Sequence, residues 1–402
     1  MTASEAVRQN GVVADGVVPL CAPHIGGNEW AYVKDCLDNA WVSTAGAYVD
    51  RFEQAFAERV GTRYAVATAS GTAALHTALL VAGVRPDDEV LVSALTFIAP
   101  ANAIRYAGAW PVFIDAEPAY WQMDTAKAAH FLEQECVARA DGLYNRATGR
   151  RVRAILPVHI LGHPVDMDPL LAVARRYGLA VIEDATESLG ARYRGRAVGR
   201  LGNMACFSFN GNKLITTGGG GMLVTDDVEL ARRAKYLTTQ AKDDPVEYVH
   251  RSIGYNYRLT GLQAALGLGQ LERLEAHLAA KRRIAATYNS ALVDLPGITL
   301  MTEAPWARSA WWMYTILVEE GAFGLGSRGL MAFLQERGIQ TRPLWQPLHR
   351  SPAHAASGAT ACPVAERLHR AGLSLPCSVG LTAEDQGRVV ARIGEAAFHA
   401  VH

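Results

Sequence analysis

The sequence predicts an α/β protein: a mainly parallel, mixed sheet flanked by helices, followed by a smaller α+β unit. Three observations predict it. Short β-branched runs alternate with longer stretches of helical spacing, the pattern of strand–helix–strand units. The 402 residues suffice for two domains. Half are hydrophobic and 19% are charged, an ordinary globular composition that excludes a disordered or fibrous chain.

Taken in order, residues 1–25 lack clear periodicity and read as a flexible lead-in. From Asn28 to Val60 the spacing is helical, with Trp30, Val33 and Leu37 on one stripe and Phe52, Phe56 and Val60 on another. Trp41 to Gly46 separates them as a loop. Strands are expected at Tyr64–Thr68, Glu89–Ser93, Pro111–Ile114, Ala154–Val158, Ala180–Glu183, Met204–Phe209 and Gly221–Thr225. Helices are expected at Thr72–Ala82 and Ala99–Ala107, and one long helix from Leu262 to about Ala291. The large domain then covers 26–270 and a smaller one 271–402. The latter holds a strand at Tyr314–Val318, a helix at Leu330–Arg337 and a Pro-punctuated loop at Gln340–Leu348. In parallel sheets ligands sit beyond the carboxyl ends of the strands, so chemistry is expected there.

Lys plus Arg equals Asp plus Glu at 39 each, so the chain lacks the basic footprint of a nucleic-acid binder. No apolar run reaches the length of a membrane helix. Met1 to Asn10 carries Glu5 and no apolar core, a poor signal peptide. The six cysteines are scattered, with no CxxC pair and no metal-ligand spacing. A cytoplasmic protein with reduced thiols is expected, without metal, membrane or nucleic acid.

Three elements carry chemistry. Ser70-Gly71-Thr72 follows a strand and opens a helix, where free backbone N–H groups at a positive dipole end suit a phosphate. Helix capping is the commoner use of such residues. Glu183-Asp184 ends a buried strand, where an acid caps, pairs or holds a cationic ligand atom such as a protonated pyridine nitrogen. Lys213 stands between a strand with Ser208 and the glycine run 218–221. A partly desolvated amine there has the character of a Schiff-base lysine. Phosphate cradle, pyridinium acid and lysine together are the kit for pyridoxal 5′-phosphate (PLP).

These elements sit in five ordered blocks: SGTAALHTAL (70–79), TFIAPANAI (96–104), IEDATESLGA (182–191), CFSFNGNKLITTGGGG (206–221) and GYNYRLTGLQAALG (254–267). In them the chain resembles the DegT/DnrJ/EryC1/StrS family of PLP-dependent sugar aminotransferases, from about Gly26 to Arg392. The resemblance implies an aspartate-aminotransferase-like fold (fold type I). It implies that Lys213 holds PLP and shuttles protons, and that Asp184 pairs with the ring nitrogen. Gly71, Thr72 and Ser208 would bind the phosphate, Phe97 would stack on the ring, and Asn256 would reach the cofactor of a neighbouring subunit. A homodimer with shared active sites follows. Glu187 stands where relatives carry Gln or His near the ring hydroxyl, and a carboxylate there needs a proton or a cationic partner.

The blocks look most like enzymes that aminate UDP-4-keto-6-deoxy-N-acetylhexosamines. NGNK before LITTGGGG, the stretch 92–113 and TTQAKD (238–243) carry that narrower resemblance. The amino donor is then L-glutamate and the acceptor the C4 ketone of a nucleotide keto-sugar. Ser43, Thr44, Arg258 and His349 are candidates to grip that substrate. His163, Trp311 and Trp312 are weaker ones, the tryptophans being equally suited to packing. A C3 or GDP- or dTDP-linked keto-sugar, or a cyclitol ketone, would leave the same blocks. A non-catalytic regulator would not need the whole kit. A 3-dehydratase on this scaffold would carry His in place of Lys213, and a Cys-dependent sulfur transferase would need a loop cysteine beside these motifs.

Overall fold

The structure, a computed structural model, describes residues 16–44, 46–244 and 246–399. Its strands, in chain order, begin with β1 (Tyr64–Thr68), β2 (Glu89–Ser93), β3 (Trp110–Ile114), β4 (Cys136–Arg139), β5 (Gly142–Asn145), β6 (Arg151–Leu156) and β7 (Ala180–Asp184). After the short β8 (Arg192–Tyr193) and β9 (Arg196–Ala197) come β10 (Met204–Ser208), β11 (Gly221–Thr225), β12 (Ile298–Leu300) and β13 (Ala307–Arg308). The last are β14 (Tyr314–Val318), β15 (Arg342–Pro343), β16 (Gly358–Ala359) and β17 (Gly372–Leu375).

Ten strands form one sheet with the path β1-β11-β10-β7-β6-β2-β3-β16, and the β4–β5 hairpin adds at β6. The pairs from β10 through β16 along this path are parallel, while β11 is antiparallel to both its neighbours. β1 therefore points the same way as β10 and β7, and the carboxyl ends of all three open on one edge. A second sheet, β12-β14-β17-β15, lies in the C-terminal part.

The expected strand at Tyr64–Thr68 and those at Glu89–Ser93, Gly221–Thr225 and Tyr314–Val318 are found at those bounds. They are short apolar runs closed by turn residues on both sides. The strand expected at Ala154–Val158 lies earlier, at Arg151–Leu156, ahead of Pro157. The single helix expected from Leu262 is two, Gly261–Glu272 and Leu274–Leu292, broken at Arg273. The first starts on a capping box, Thr260 with Gln263.

Packing follows the sheet faces. On one side Phe56 stands edge-on to Phe52, Phe207 and Phe209, with ring centroids 5.9, 5.1 and 5.3 Å away, and Phe52 is tilted against Phe209 at 5.2 Å. All four rings are buried, each stabilising the fold by about 2 kcal/mol relative to exposure. On the other side one core runs from Leu75, Val90 and Phe113 into Tyr314, Leu330 and Leu375, joining the two sheets.

Residues 16–25, expected as part of a flexible lead-in, are held in place, and residues 1–15 lie outside the described residues. Val18 is buried and exchanges backbone bonds with Gly338 and Gln340, while Leu20 and Ala22 bond Cys377 and Ser378. These bonds pair the backbone N–H and C=O that burial of Val18 takes out of water. Among the described residues, no helix is long and apolar enough to cross a membrane.

Candidate active site

A cavity of about 340 Å³ opens where β1, β7 and β10 end. Gly71, Thr72, Phe97, Asp184, Glu187, Ser208 and Lys213 all line it.

One wall is the start of the helix Gly71–Val81. Ser70 caps it, its Oγ accepting from Ala73 N–H at 3.1 Å. Capping thus uses Ser70 and leaves Gly71 and Thr72 N–H, orphaned as at any helix start, at the cavity wall. A Cβ on Gly71 would come within 2.8 Å of Ser208 Cβ, so only glycine keeps this cradle open. Gly221 has the same constraint, because a Cβ there would strike the Ser70 backbone at 2.6 Å.

The floor is acidic. Asp184, 2% exposed, accepts from Thr186 N–H at 3.1 Å. Burial pushes its carboxyl up, against the Thr186 hydrogen bonds and the Lys213 charge. A cationic ring atom in the cavity would hold it ionised. Glu183, one residue earlier, points to the other side of the strand. It accepts His159 Nε2–H at 3.1 Å and the N–H groups of Gly199, Leu201 and Gly202. His159 Nδ1 accepts from Val165 N–H, which leaves the ring proton on Nε2. Burial alone would raise Glu183, but these donors bring it below its ordinary value. Of the two adjacent acids, Glu183 is spent on structure and Asp184 faces the cavity.

Lys213 Nζ lies 3.5 Å from Glu187 Oε1 and 4.1 Å from the centre of the Trp312 ring. The other Glu187 oxygen accepts from Leu161 N–H at 2.8 Å. Leu161 has φ 60°, an uncommon backbone for leucine that aims its N–H at the carboxylate. Burial raises Glu187, and the Lys213 charge draws it back. The cationic partner that a glutamate here requires is therefore Lys213 itself.

The remaining expected residues lie elsewhere. Asn256 and Arg258 are exposed and do not line the cavity, nor do exposed Ser43 and half-buried Thr44. Ser43 and Gly261 are nevertheless joined by a backbone hydrogen bond, so the two segments lie together. His349, expected to grip the substrate, does not line the cavity, and its Nε2 pairs with Glu366 at 3.0 Å. His163 is fully buried, bonded to Pro164 O and Ala304 N–H and stacked on Tyr120. Burial lowers it to about 4, so it stays a neutral packing residue. Trp311 stacks on Tyr314, whereas Trp312 lines the cavity and donates Nε1–H to Asn212 O at 2.7 Å. Thr96, Thr186, Asn210, Asn212 and Trp345 also line it and were not singled out in the sequence. Trp345 had a local signal, standing between Pro343 and Pro347 in an extended loop.

Among the described residues no group of side chains could hold a metal ion. The cavity does fit PLP: an open N–H cradle closed to any Cβ, a buried acid and a lysine face one another across it. The fold and this site together define a PLP-dependent aminotransferase. More particularly, the chain belongs to the DegT/DnrJ/EryC1/StrS aminotransferase family, which it matches over residues 23–394. It is 41% identical to a GDP-perosamine synthase of Caulobacter vibrioides, over 94% of this chain and 98% of that one. A GDP-perosamine synthase of Escherichia coli O157:H7 is 37% identical, over 91% and 95% of the two chains. A crystal structure of a DegT DnrJ EryC1 StrS aminotransferase from Brucella abortus superposes with a TM-score of 0.82 at 30% identity, over 92% and 95%.

Proposed function

We propose that the chain transfers an amino group from L-glutamate to the C4 ketone of a GDP-linked 4-keto-6-deoxy sugar. The chemistry is carried by one observation, Lys213 and Asp184 facing a single cavity beside the Gly71 cradle. The nucleotide is argued from the two relatives above, both named for a GDP-linked amino sugar. The UDP-linked N-acetylhexosamine expected from NGNK, the 92–113 stretch and TTQAKD is the second reading.

PLP, when bound, supplies an electron sink conjugated to the donor carbon. Gly71 and Thr72 N–H and the Ser208 hydroxyl bind its phosphate. The Asp184 carboxylate holds a proton at the ring nitrogen. Lys213 Nζ would anchor the cofactor and, as a free amine, would take the donor α-proton as general base. In the second half it delivers a proton to the sugar carbon that gains the amine. Glu187 accepts from Lys213 Nζ and so orients it. Phe97, half-exposed at the mouth, covers the ring. A homodimer would bring Asn256, with Ser43, Thr44 and Arg258, to the partner's cavity.

The test is a single-turnover absorbance experiment. Protein loaded with PLP is converted with L-glutamate, freed of donor, and mixed with GDP-, UDP- and dTDP-linked 4-keto-6-deoxy sugars. The proposal expects the lysine-bound cofactor band to return with the GDP sugar. Return with the UDP N-acetyl sugar alone selects the second reading, and no band before glutamate overturns the role of Lys213.

A further inference from the structure

Behind the cavity wall lies a second cluster of reactive side chains that aminotransfer does not use. Lys281, on the helix Leu274–Leu292, is 2% exposed. Its Nζ donates to the carbonyl oxygens of Trp312 at 2.8 Å and Cys377 at 2.5 Å. It also lies 3.6 Å from Cys377 Sγ and 3.9 Å from Cys21 Sγ. The backbone sets the two cysteines side by side: Cys377 N–H donates to Leu20 O and Ala22 N–H to Ser378 Oγ, both at 2.8 Å. Both sulfurs are thus gathered around the one Lys281 ammonium.

A buried ammonium needs a counter-charge. Among the described residues no carboxylate forms a salt bridge with Lys281; what faces it are two carbonyls and two sulfurs. Burial works against its charge, and the sulfurs more than offset burial. The neighbouring Cys21 thiol, and then the Lys281 charge, bring the Cys377 thiol down to about 6 against its own burial. The same neighbourhood, with burial, holds Cys21 well above its ordinary value. The negative charge beside the fixed cation therefore falls on Cys377, and Cys21 keeps its proton. Cys377 is 1% exposed, whereas Cys21 keeps part of its surface open to solvent.

We propose that Cys21 and Cys377 are an oxidation site at which a hydroperoxide joins the two sulfurs as a disulfide, with Lys281 stabilising the thiolate that begins the reaction. The Cys377 thiolate attacks an oxygen of hydrogen peroxide. An S–O bond forms, the O–O bond breaks, and the departing hydroxide takes a proton from solvent. Cys21 then loses its proton and attacks the Cys377 sulfenic sulfur, so that S–S forms and S–O breaks with loss of water. Two thiols give up two electrons and hydrogen peroxide is reduced to two waters. The bridge would remove one contact beside the active site. Cys21 Sγ–H donates to Asn212 O at 3.2 Å, the same oxygen that accepts Trp312 Nε1–H, beside Lys213.

The PLP-loaded protein is treated with hydrogen peroxide, alkylated with iodoacetamide in denaturant, digested and mapped by mass. The expected result is one joined pair of peptides carrying Cys21 and Cys377, two hydrogens lighter than their sum and separated by dithiothreitol. Cys21→Ser is expected to lose that pair and Cys136→Ser to keep it. The wild-type map decides the matter even where Cys377→Ser fails to fold. Both cysteines recovered alkylated, a Cys377 sulfinic acid beside an alkylated Cys21, or a bond from Lys281 to either sulfur would each overturn the proposal.

Discussion

Lys213 Nζ and Glu187 Oε1 stand 3.5 Å apart, and the second Glu187 oxygen is tied to Leu161 N–H. The pair makes stability depend on pH in a definite direction. Burial raises the Glu187 carboxyl above its ordinary 4.5. Between 4.5 and the raised value the folded chain binds a proton that the unfolded chain does not. The stability this contributes is full below 4.5 and is lost as pH rises through the folded value. Thermal melts of cofactor-free protein are therefore expected to show wild type gaining on Glu187→Gln as pH falls from neutral. A gap that stays constant over that range would sink the assignment.

Lys213→Ala should retain its fold, with the buried Glu187 taking up a proton in place of its lost cationic partner. Turnover should fall by about 10³-fold or more, since anchor and general base go together. Normal turnover in a standard glutamate assay would refute the placement of the chemistry.

Gly71→Ala puts a methyl group 2.8 Å from Ser208 Cβ. Overpacking of this kind costs about 1–3 kcal/mol, which expressed in PLP affinity is roughly 5- to 150-fold. Equilibrium titration of PLP by absorbance measures it. Unchanged affinity would mean that the cradle is not the phosphate site.

Glu183→Ala leaves His159 and three backbone N–H groups without their acceptor. A loss of about 3–5 kcal/mol is expected in denaturant unfolding. The neighbouring Asp184→Asn should instead keep stability and lose activity. If Glu183→Ala melts normally and only activity falls, the two acids have been assigned the wrong way round.

Subunit mixing tests the shared site. Asn256→Ala and Lys213→Ala homodimers are each expected to be impaired. In a mixed dimer the Asn256→Ala subunit keeps its own Lys213 and receives Asn256 from its partner, restoring one complete site. Activity recovered after co-refolding supports the arrangement; activity equal to the sum of the parents rules it out.

The sequence showed the site where the signal was local. Gly71, Asp184 and Lys213 each stand at or just after a strand and carry their chemistry within a few residues. It failed where the third dimension decides. Trp312 and Trp345 reach the cavity from the C-terminal part, and nothing near them tells lining from packing. Leu161 supplies its N–H to Glu187 only through a left-handed backbone that no residue type announces. The helix break at Arg273 was hidden because apolar spacing runs on through it without Gly or Pro. Docking of residues 16–25 depends on partners near 338 and 377, too far along the chain for periodicity to reveal.

The parallel pairing of β16 with β3, Gly358 to Val112 and Ala359 to Phe113, also dictates an order of events at the ribosome. β3 emerges early and must wait with an open edge until β16 has been synthesised. An uncovered strand such as Trp110–Ile114 is a template for pairing between nascent chains. Two residues near the C-terminal end thus act as a late seal, and a chain stopped before Gly358 would leave that edge open to self-association.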